Sequence, residues 1–239
     1  GAVGGAGPQV QEISVYARRE QYRYLRGVAP DCAAQTAVLY RDNDSALPLV
    51  DLLDRAGIPY RCRQMECLFF TNRVVRDLTD LIRFAREPWD GARFLNLYYK
   101  LGAGISRALA QEAAAAAGGA GEPILPYIAA SPAASPWTKK QCRALQTHLN
   151  RLLEERADKA VYRMVHFMGY GDYLEERGGD LSKAEILEAL GAEEPTPERL
   201  LARLEELSGV VREGNADPDC PFVLSTIHSS KSLEYDRGV

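Results

Sequence analysis

The stretch that organises this chain is Phe222-Val223-Leu224-Ser225-Thr226-Ile227-His228-Ser229-Ser230-Lys231-Ser232-Leu233-Glu234-Tyr235-Asp236. Its apolar start reads as a strand and the remainder as a polar loop leaving the strand end. Thr226, His228, Lys231 and Glu234 put a hydroxyl, an imidazole, an ammonium and a carboxylate into that loop, where α/β proteins place groups that handle ligands. A strand needs neighbours, and the nearest candidate upstream is Thr36-Ala37-Val38-Leu39-Tyr40. After it, Ala46, Leu49, Val50, Leu53 and Ala56 fall on one helical face before Gly57, with Ser45 in position to cap and Pro48 tolerated in the first turn. Ile58-Pro59-Tyr60-Arg61-Cys62 then reads as a short extended segment, which completes a β-α-β-like unit. A further helix is expected over 16–28.

From Asn72 the period changes from two to about 3.6. Val74, Val75, Leu78, Leu81, Ile82 and Ala85 share a helical face. Helices are expected over 72–86, 89–100, 105–117, 138–168 with a break, 181–190 and 197–213. Asp180 and Thr196 are N-cap candidates, the latter followed by Pro197 at the first helical position. Gly118 to Pro123 and Ser131 to Pro136 read as connections. Leu200, Leu201, Leu204, Leu207 and Val211 form a stripe that belongs in a bundle core. The expected organisation is α/β at residues 1–70, a helical insertion at 71–219 and a return to the α/β domain at 220–239.

Composition narrows the classes. At 46% hydrophobic and 26% charged, the chain can bury a core. No apolar run is long enough for a membrane span, and Gly1 to Gly7 lacks the pattern of a signal peptide, so a cytoplasmic location without membrane contact is the expectation. The five cysteines, Cys32, Cys62, Cys67, Cys142 and Cys220, are scattered and include no C-x-x-C pair, so they point to neither a disulfide framework nor a zinc site. The net charge of −4 runs against a dedicated nucleic-acid binder, but it averages over a gradient. Residues 1–110 carry 15 Lys and Arg against 12 Asp and Glu, whereas residues 111–239 carry 14 against 21.

The loop resembles motif V of UvrD/Rep-type superfamily 1 DNA helicases, T-x-H-x-x-K-G-L-E-(F/Y)-D, with Ser232 at the usual glycine. Other segments resemble the same family in order. Ala37-Val38-Leu39-Tyr40-Arg41-Asp42-Asn43 and Ala56-Gly57-Ile58-Pro59-Tyr60 are similar to its A-(V/I)-L-Y-R-x-N and A-G-I-P-Y segments. Phe69-Phe70 through Val74-Val75-Arg76-Asp77-Leu78 is similar to the opening of its helical insertion, with Arg73 near a commonly acidic position. Glu87-Pro88-Trp89-Asp90 resembles N-P-x-D. Gly102-Ala103-Gly104-Ile105-Ser106 resembles an R-G-I-G turn, with Ala103 at the arginine.

The resemblance implies a fold class: a partial RecA-like parallel-sheet α/β domain, termed 2A, interrupted by an all-α insertion, termed 2B. It implies that Thr226, His228 and Lys231 meet single-stranded DNA while Glu234 meets the nucleotide ribose beside Ser232. A side chain at that glycine position costs about 1 kcal/mol if the backbone is left-handed. Gly102 and Gly104 would let backbone amides at the following helix start hold a DNA phosphate, with Lys100 and Arg107 adding charge. His148 and His166 have no such context and read as structural or surface residues.

No G-x-x-x-x-G-K-(S/T) loop and no strand-end D-E pair for magnesium occurs in the sequence. ATP and Mg²⁺ are therefore expected at a site completed by N-terminal helicase domains of the same protein, and this chain by itself is expected to be inactive. It is expected to be a portion of a larger 3′ to 5′ helicase, with single-stranded DNA and single-strand/duplex junctions as partners. No residue of this chain is assigned as catalytic and none as a metal ligand. Two other classes fit parts of the pattern: a helicase-like scaffold that has lost its motor, suggested by Ser232, and a helical protein-interaction module, suggested by the acidic second half.

Overall fold

The computed structural model describes residues 9–10, 23–27, 36–40, 42–62, 67–213, 220, 222–226 and 237–238, with the strands described by backbone except at Leu224. The chain divides into two compact units, one made of residues 1–69 and 204–239 and the other of residues 70–203. Among the described residues no helix is long and apolar enough to cross a membrane.

The first unit contains β1 (Gln9–Val10), β2 (Thr36–Tyr40), β3 (Arg61–Cys62), β4 (Phe222–Thr226) and β5 (Arg237–Gly238). They run parallel in the order β1-β5-β2-β4-β3. The longest pairing places Thr36 opposite Phe222 and Tyr40 opposite Thr226. Helix α1 (Leu47–Ala56) is buried all round over its first two turns, with Leu47, Leu49, Val50, Leu52 and Leu53 enclosed and exposure beginning only at Arg55. Asp51 is also buried there, and Arg55 one turn later donates its Nε to both carboxylate oxygens at 2.9 and 3.0 Å. Ser45 does not cap this helix. Its hydroxyl donates to Asp42 within the preceding turn, and a 3-10 turn at Asp44–Ala46 leads into α1.

The expected fold class, an α/β RecA-like parallel-sheet domain, needs correction. Helix accounts for 73% of the residues described with their side chains, so the protein is predominantly helical. The physical reason lies in the spacing of apolar residues. Among the described residues only Thr36–Tyr40 and Phe222–Thr226 make strands longer than two residues, and from residue 73 to residue 213 apolar side chains recur at helical spacing.

The second unit is built of α2 (Arg73–Arg86), α3 (Gly91–Leu97), α4 (Arg107–Ala113), α5 (Ile124–Ala130), α6 (Pro136–Leu152), α7 (Ala157–Phe167), α8 (Tyr170–Glu176) and α9 (Ser182–Gly191). Helix α10 (Pro197–Glu213) begins in it and runs past its boundary at Arg203. Side-chain caps fix several starts. Asn72 accepts from the Val74 amide, Asp90 from Arg93, Ser106 from Leu109, Ser135 from Thr138, and Thr196 from Arg199. Asp180 accepts from the amide and hydroxyl of Ser182, so it ties the turn before α9.

Helix α2 turns Val75, Leu78, Leu81, Ile82 and Ala85 inward, while Val74 is only half-buried. Phe84 stacks on Phe94 of α3 with ring centroids 5.8 Å apart. Helix α4 continues into a π-helical turn, Ala114–Gly118, which absorbs one extra residue into the helix. There the backbones meet closely: a Cβ added at Gly118 would lie 2.9 Å from the Trp89 carbonyl oxygen, and one at Gly91 would lie 3.1 Å from that of Ala114. A side chain at Gly118 would force the backbone to shift, and one at Gly91 would crowd the Ala114 carbonyl.

Candidate functional site

The residues assigned from sequence fall into two groups. His228, Lys231, Ser232 and Glu234 lie outside the described residues. Thr226 is the last residue of β4, opposite Tyr40 of β2. Thr226 thus ends a strand that has parallel neighbours on both sides.

Lys100, Gly102, Gly104 and Arg107 lie in the helical unit, and the structure separates their roles. Lys100 is buried, and its Nζ donates to Asp77 Oδ1 at 2.7 Å. The hydroxyl of Tyr170 donates to Asp77 Oδ2 at 2.8 Å, and all three residues are at most 7% exposed. Both carboxylate oxygens are thus occupied, and the cation is compensated where an unpaired charge would be costly. Burial, then the hydrogen bond to Asp77, pushes the Tyr170 phenol far above its usual range. Lys100 is corrected accordingly: it is an interior cation bridging the turn after α3 to α2, and its ammonium does not face outward to a phosphate.

The local backbone explains how Tyr170 reaches Asp77. Gly169, at φ +83°, opens α8 with its Cα pressed against Leu101; an added Cβ would stand 2.6 Å from the Leu101 carbonyl oxygen. Only glycine permits that approach. It carries the start of α8 onto the same turn that contributes Lys100.

Gly102 and Gly104 both adopt left-handed backbone, at φ +62° and +68°. An added Cβ at Gly102 would meet open space, whereas at Gly104 it would lie 2.8 Å from Trp137 Cζ3 and 3.2 Å from Thr138 Oγ1. The Thr138 hydroxyl donates to the Gly104 carbonyl at 3.3 Å. The turn therefore seats the first turn of α6. Helix α4 starts at Arg107 rather than at Ile105, and Ser106 already takes the Leu109 amide, so the expected phosphate cradle is partly filled by the protein's own cap. Arg107 is exposed at this helix start.

A set of residues that the sequence reading did not assign lies on α6 and α7. Helix α6 holds Lys139, Lys140, Arg143 and Arg151 and no Asp or Glu, within a chain of net charge −4. Trp137, Lys140, Ala144, His148 and Arg151 follow a 3-4-4-3 spacing, so they form one line along the helix. His148 joins that line to α7: its ring stacks on Phe167 at 6.3 Å, and Arg163 Nη1 donates to its Nδ1 at 2.8 Å. Arg163 also forks onto Glu155, with Nε to Oε2 at 3.0 Å and Nη2 to Oε1, and its guanidinium lies 5.7 Å from the Phe167 ring centroid.

The charges of this cluster are mutually adjusted. Burial first, then the cations of Arg163 and Arg151, lowers the His148 pKa below its ordinary value, consistent with a neutral ring accepting at Nδ1. The Arg163 hydrogen bond holds the Glu155 carboxyl below its usual range. On the outer face, Tyr162 lies against His166 at 4.2 Å and edge-on to Phe167 at 5.7 Å. Trp137, Tyr162 and Phe167 nonetheless remain 54%, 46% and 55% exposed. The carboxylate-free run from Pro136 to Leu152 was the available sequence signal; the partnering of His148 with Phe167 depends on how the two helices pack.

No protein-family model matches this sequence, and no curated protein matches it.

Proposed function

We propose that this chain is the DNA-contacting, C-terminal portion of an ATP-dependent DNA helicase or translocase similar to the UvrD/Rep group. The observation that carries this reading is the ordered run of resemblances from Ala37 to Asp236, ending in Thr226-x-His228-x-x-Lys231-x-Leu233-Glu234. Thr226 and His228 are suited to donate to phosphates of a single strand, Lys231 adds charge, and Glu234 supplies an acceptor for a ribose hydroxyl. One loop with both contacts would couple the grip on DNA to the nucleotide. ATP and Mg²⁺ would be held with further domains of the same protein, and movement would run 3′ to 5′. Arg107, exposed beside the Gly102–Gly104 turn, is the assigned cation in the helical unit that remains available to a junction.

The test is binding of the whole chain to a labelled single-strand/duplex junction, followed by fluorescence anisotropy between about 50 and 200 mM salt. Salt-sensitive binding that Thr226→Val, His228→Ala and Lys231→Gln each weaken is expected. Binding that is absent at low salt, or unchanged in all three variants, rejects the reading. Ser232 favours a second reading, a helicase-like scaffold without a motor. In the protein carrying its remaining domains, Ser232→Gly is expected to raise DNA-stimulated ATP turnover if a motor is present, and to leave it at zero in a scaffold.

A further inference from the structure

From the α6–α7 surface we infer a separate binding site for single-stranded nucleic acid, in which Trp137, Tyr162 and Phe167 stack on unpaired bases while Lys140 and Arg151 meet the phosphates. This site lies wholly within the helical unit and does not rest on the loop from Thr226 to Glu234.

Three observations carry it. The first is charge: α6 has four Lys and Arg and no carboxylate, in a chain that is acidic as a whole. Lys140 and Arg151 form no ion pair among the described residues, although Glu155 and His148 feel the Arg151 charge. The second is exposure of aromatic rings. Trp137, Tyr162 and Phe167 keep about half their surface in water, although each has a ring or backbone neighbour that fixes its position. Exposed, positioned aromatics beside free cations are the two components that bind single strands without regard to sequence.

The third is alignment. The line from Trp137 to Arg151 rises about 21 Å along α6, and His148 attaches it to Phe167 on α7. Cations and rings therefore alternate along a common edge instead of lying on opposite faces. Internal pairing supports this arrangement: Glu155 and His148 occupy Arg163, whose guanidinium covers part of the Phe167 ring and holds it in place. A duplex would use the cations but leave the rings idle, because its bases are already stacked. An acidic protein segment would do the same. The rings favour an unpaired strand.

The whole chain carries two tryptophans, Trp89 and Trp137, so Trp89→Phe leaves Trp137 as the sole indole reporter. In that background, titration with 20-mers of oligo-dT and oligo-rU is expected to quench the fluorescence, and a 20-base-pair duplex is expected to quench it less. Preference between the two single strands separates DNA from RNA as the source. In anisotropy with the same oligonucleotides, Trp137→Ala and Phe167→Ala are each expected to weaken binding about tenfold, the loss of one base stack. Lys140→Gln with Arg151→Gln is expected to reduce the salt slope by about 1.4, two phosphate contacts on a single strand.

Circular dichroism confirms folding of each variant, and Trp137→Phe, which retains a ring, is expected to recover most of the affinity. Unchanged affinity in Trp137→Ala and Phe167→Ala overturns the site. So does equal binding of duplex and single strand without quenching, or competition by poly-glutamate as effective as by oligo-dT. His228→Ala with Lys231→Gln removes the proposed loop contact and leaves the quenching of Trp137 intact. Loss of one effect without the other identifies which of the two sites has failed.

Discussion

Lys100 and Lys140 are both preceded by an aromatic or basic residue and both follow a helix start or end, yet the protein uses them in opposite ways. Lys100 is enclosed, with its charge met by Asp77 and its neighbourhood completed by the Tyr170 hydroxyl. Lys140 stands exposed on a helix without a carboxylate. The difference teaches that basic residues in this helical unit are sorted by partners distant in sequence: Asp77 precedes Lys100 by 23 residues and Tyr170 by 93. The interior set gives stability and defined geometry; the outer set leaves charge available for a ligand.

The strongest way to break the contrast is at its buried end. Asp77→Ala strands an ammonium and a phenol together, and is expected to cost about 3–5 kcal/mol in urea unfolding. Tyr170→Phe, which removes a donor to the buried carboxylate and leaves the ion pair, is expected to cost about 1.5–3 kcal/mol. Asp77→Leu combined with Lys100→Met is expected to be more stable than Asp77→Ala, since it removes the uncompensated charge.

Gly104 sharpens the contrast from between the two regions, because its turn follows Lys100 and an added Cβ there would press on Trp137. Gly104→Ala is expected to lose about 1–2 kcal/mol through the left-handed backbone and the crowding against the indole. Adding Trp137→Ala is expected to relieve only the crowding, leaving a non-additive difference in denaturant titration.

His148 tests the middle of the outer surface through pH. Its folded pKa is lowered, so its contribution is fully present above the unfolded value of about 6.5 and is lost as pH falls through the folded value. Glu155, also lowered, loses its contribution only in the more acidic carboxylate range. Thermal unfolding between pH 7.5 and 5.5 is therefore expected to show a fall that His148→Gln reduces, by less than about 1 kcal/mol because the ring is partly exposed. At the small end, Lys140→Gln and Arg151→Gln are expected to alter stability by less than about 0.5 kcal/mol. A large loss there would mean that these cations are structural after all.

Much of the helical unit was legible from apolar spacing. The expectations at 72–86, 181–190 and 197–213 lie close to Arg73–Arg86, Ser182–Gly191 and Pro197–Glu213. The single long span 138–168 resolves into α6 and α7, separated where the Glu154 amide returns to the Arg151 carbonyl. Helices α5 and α8 were missed because each has seven residues, too short for a clear period, and because Pro126 and Gly171 lie inside them. The strands Thr36–Tyr40 and Phe222–Thr226 were readable as apolar runs, but two strong runs do not set the class of a chain dominated by helices.

The candidate sites were less legible for the same reason that Lys100 was misassigned. A glycine-rich turn beside a lysine and an arginine looks like a phosphate cradle when only neighbours in sequence are considered. Its outcome depended on Asp77, Tyr170 and Trp137, none of which lies within the turn. Conversely, α6 advertised its charge but not its rings, because Phe167 reaches His148 only through helix pairing.

The wide turn at Ala114–Gly118 has a consequence for length itself. It falls in a run of five alanines, Ala113 to Ala117, so loss of any one of them yields the same shortened sequence. Such a deletion would let the helix close to ordinary pitch, at about 100° per residue, and because the wider turn already absorbs one extra residue, Gly118 would keep nearly the same angle toward Trp89 and Gly91. The unit thus carries a one-residue allowance within its alanine run: the joint between α3 and this helix is set by the angle at which Gly118 meets Trp89 and Gly91, not by which alanine precedes it.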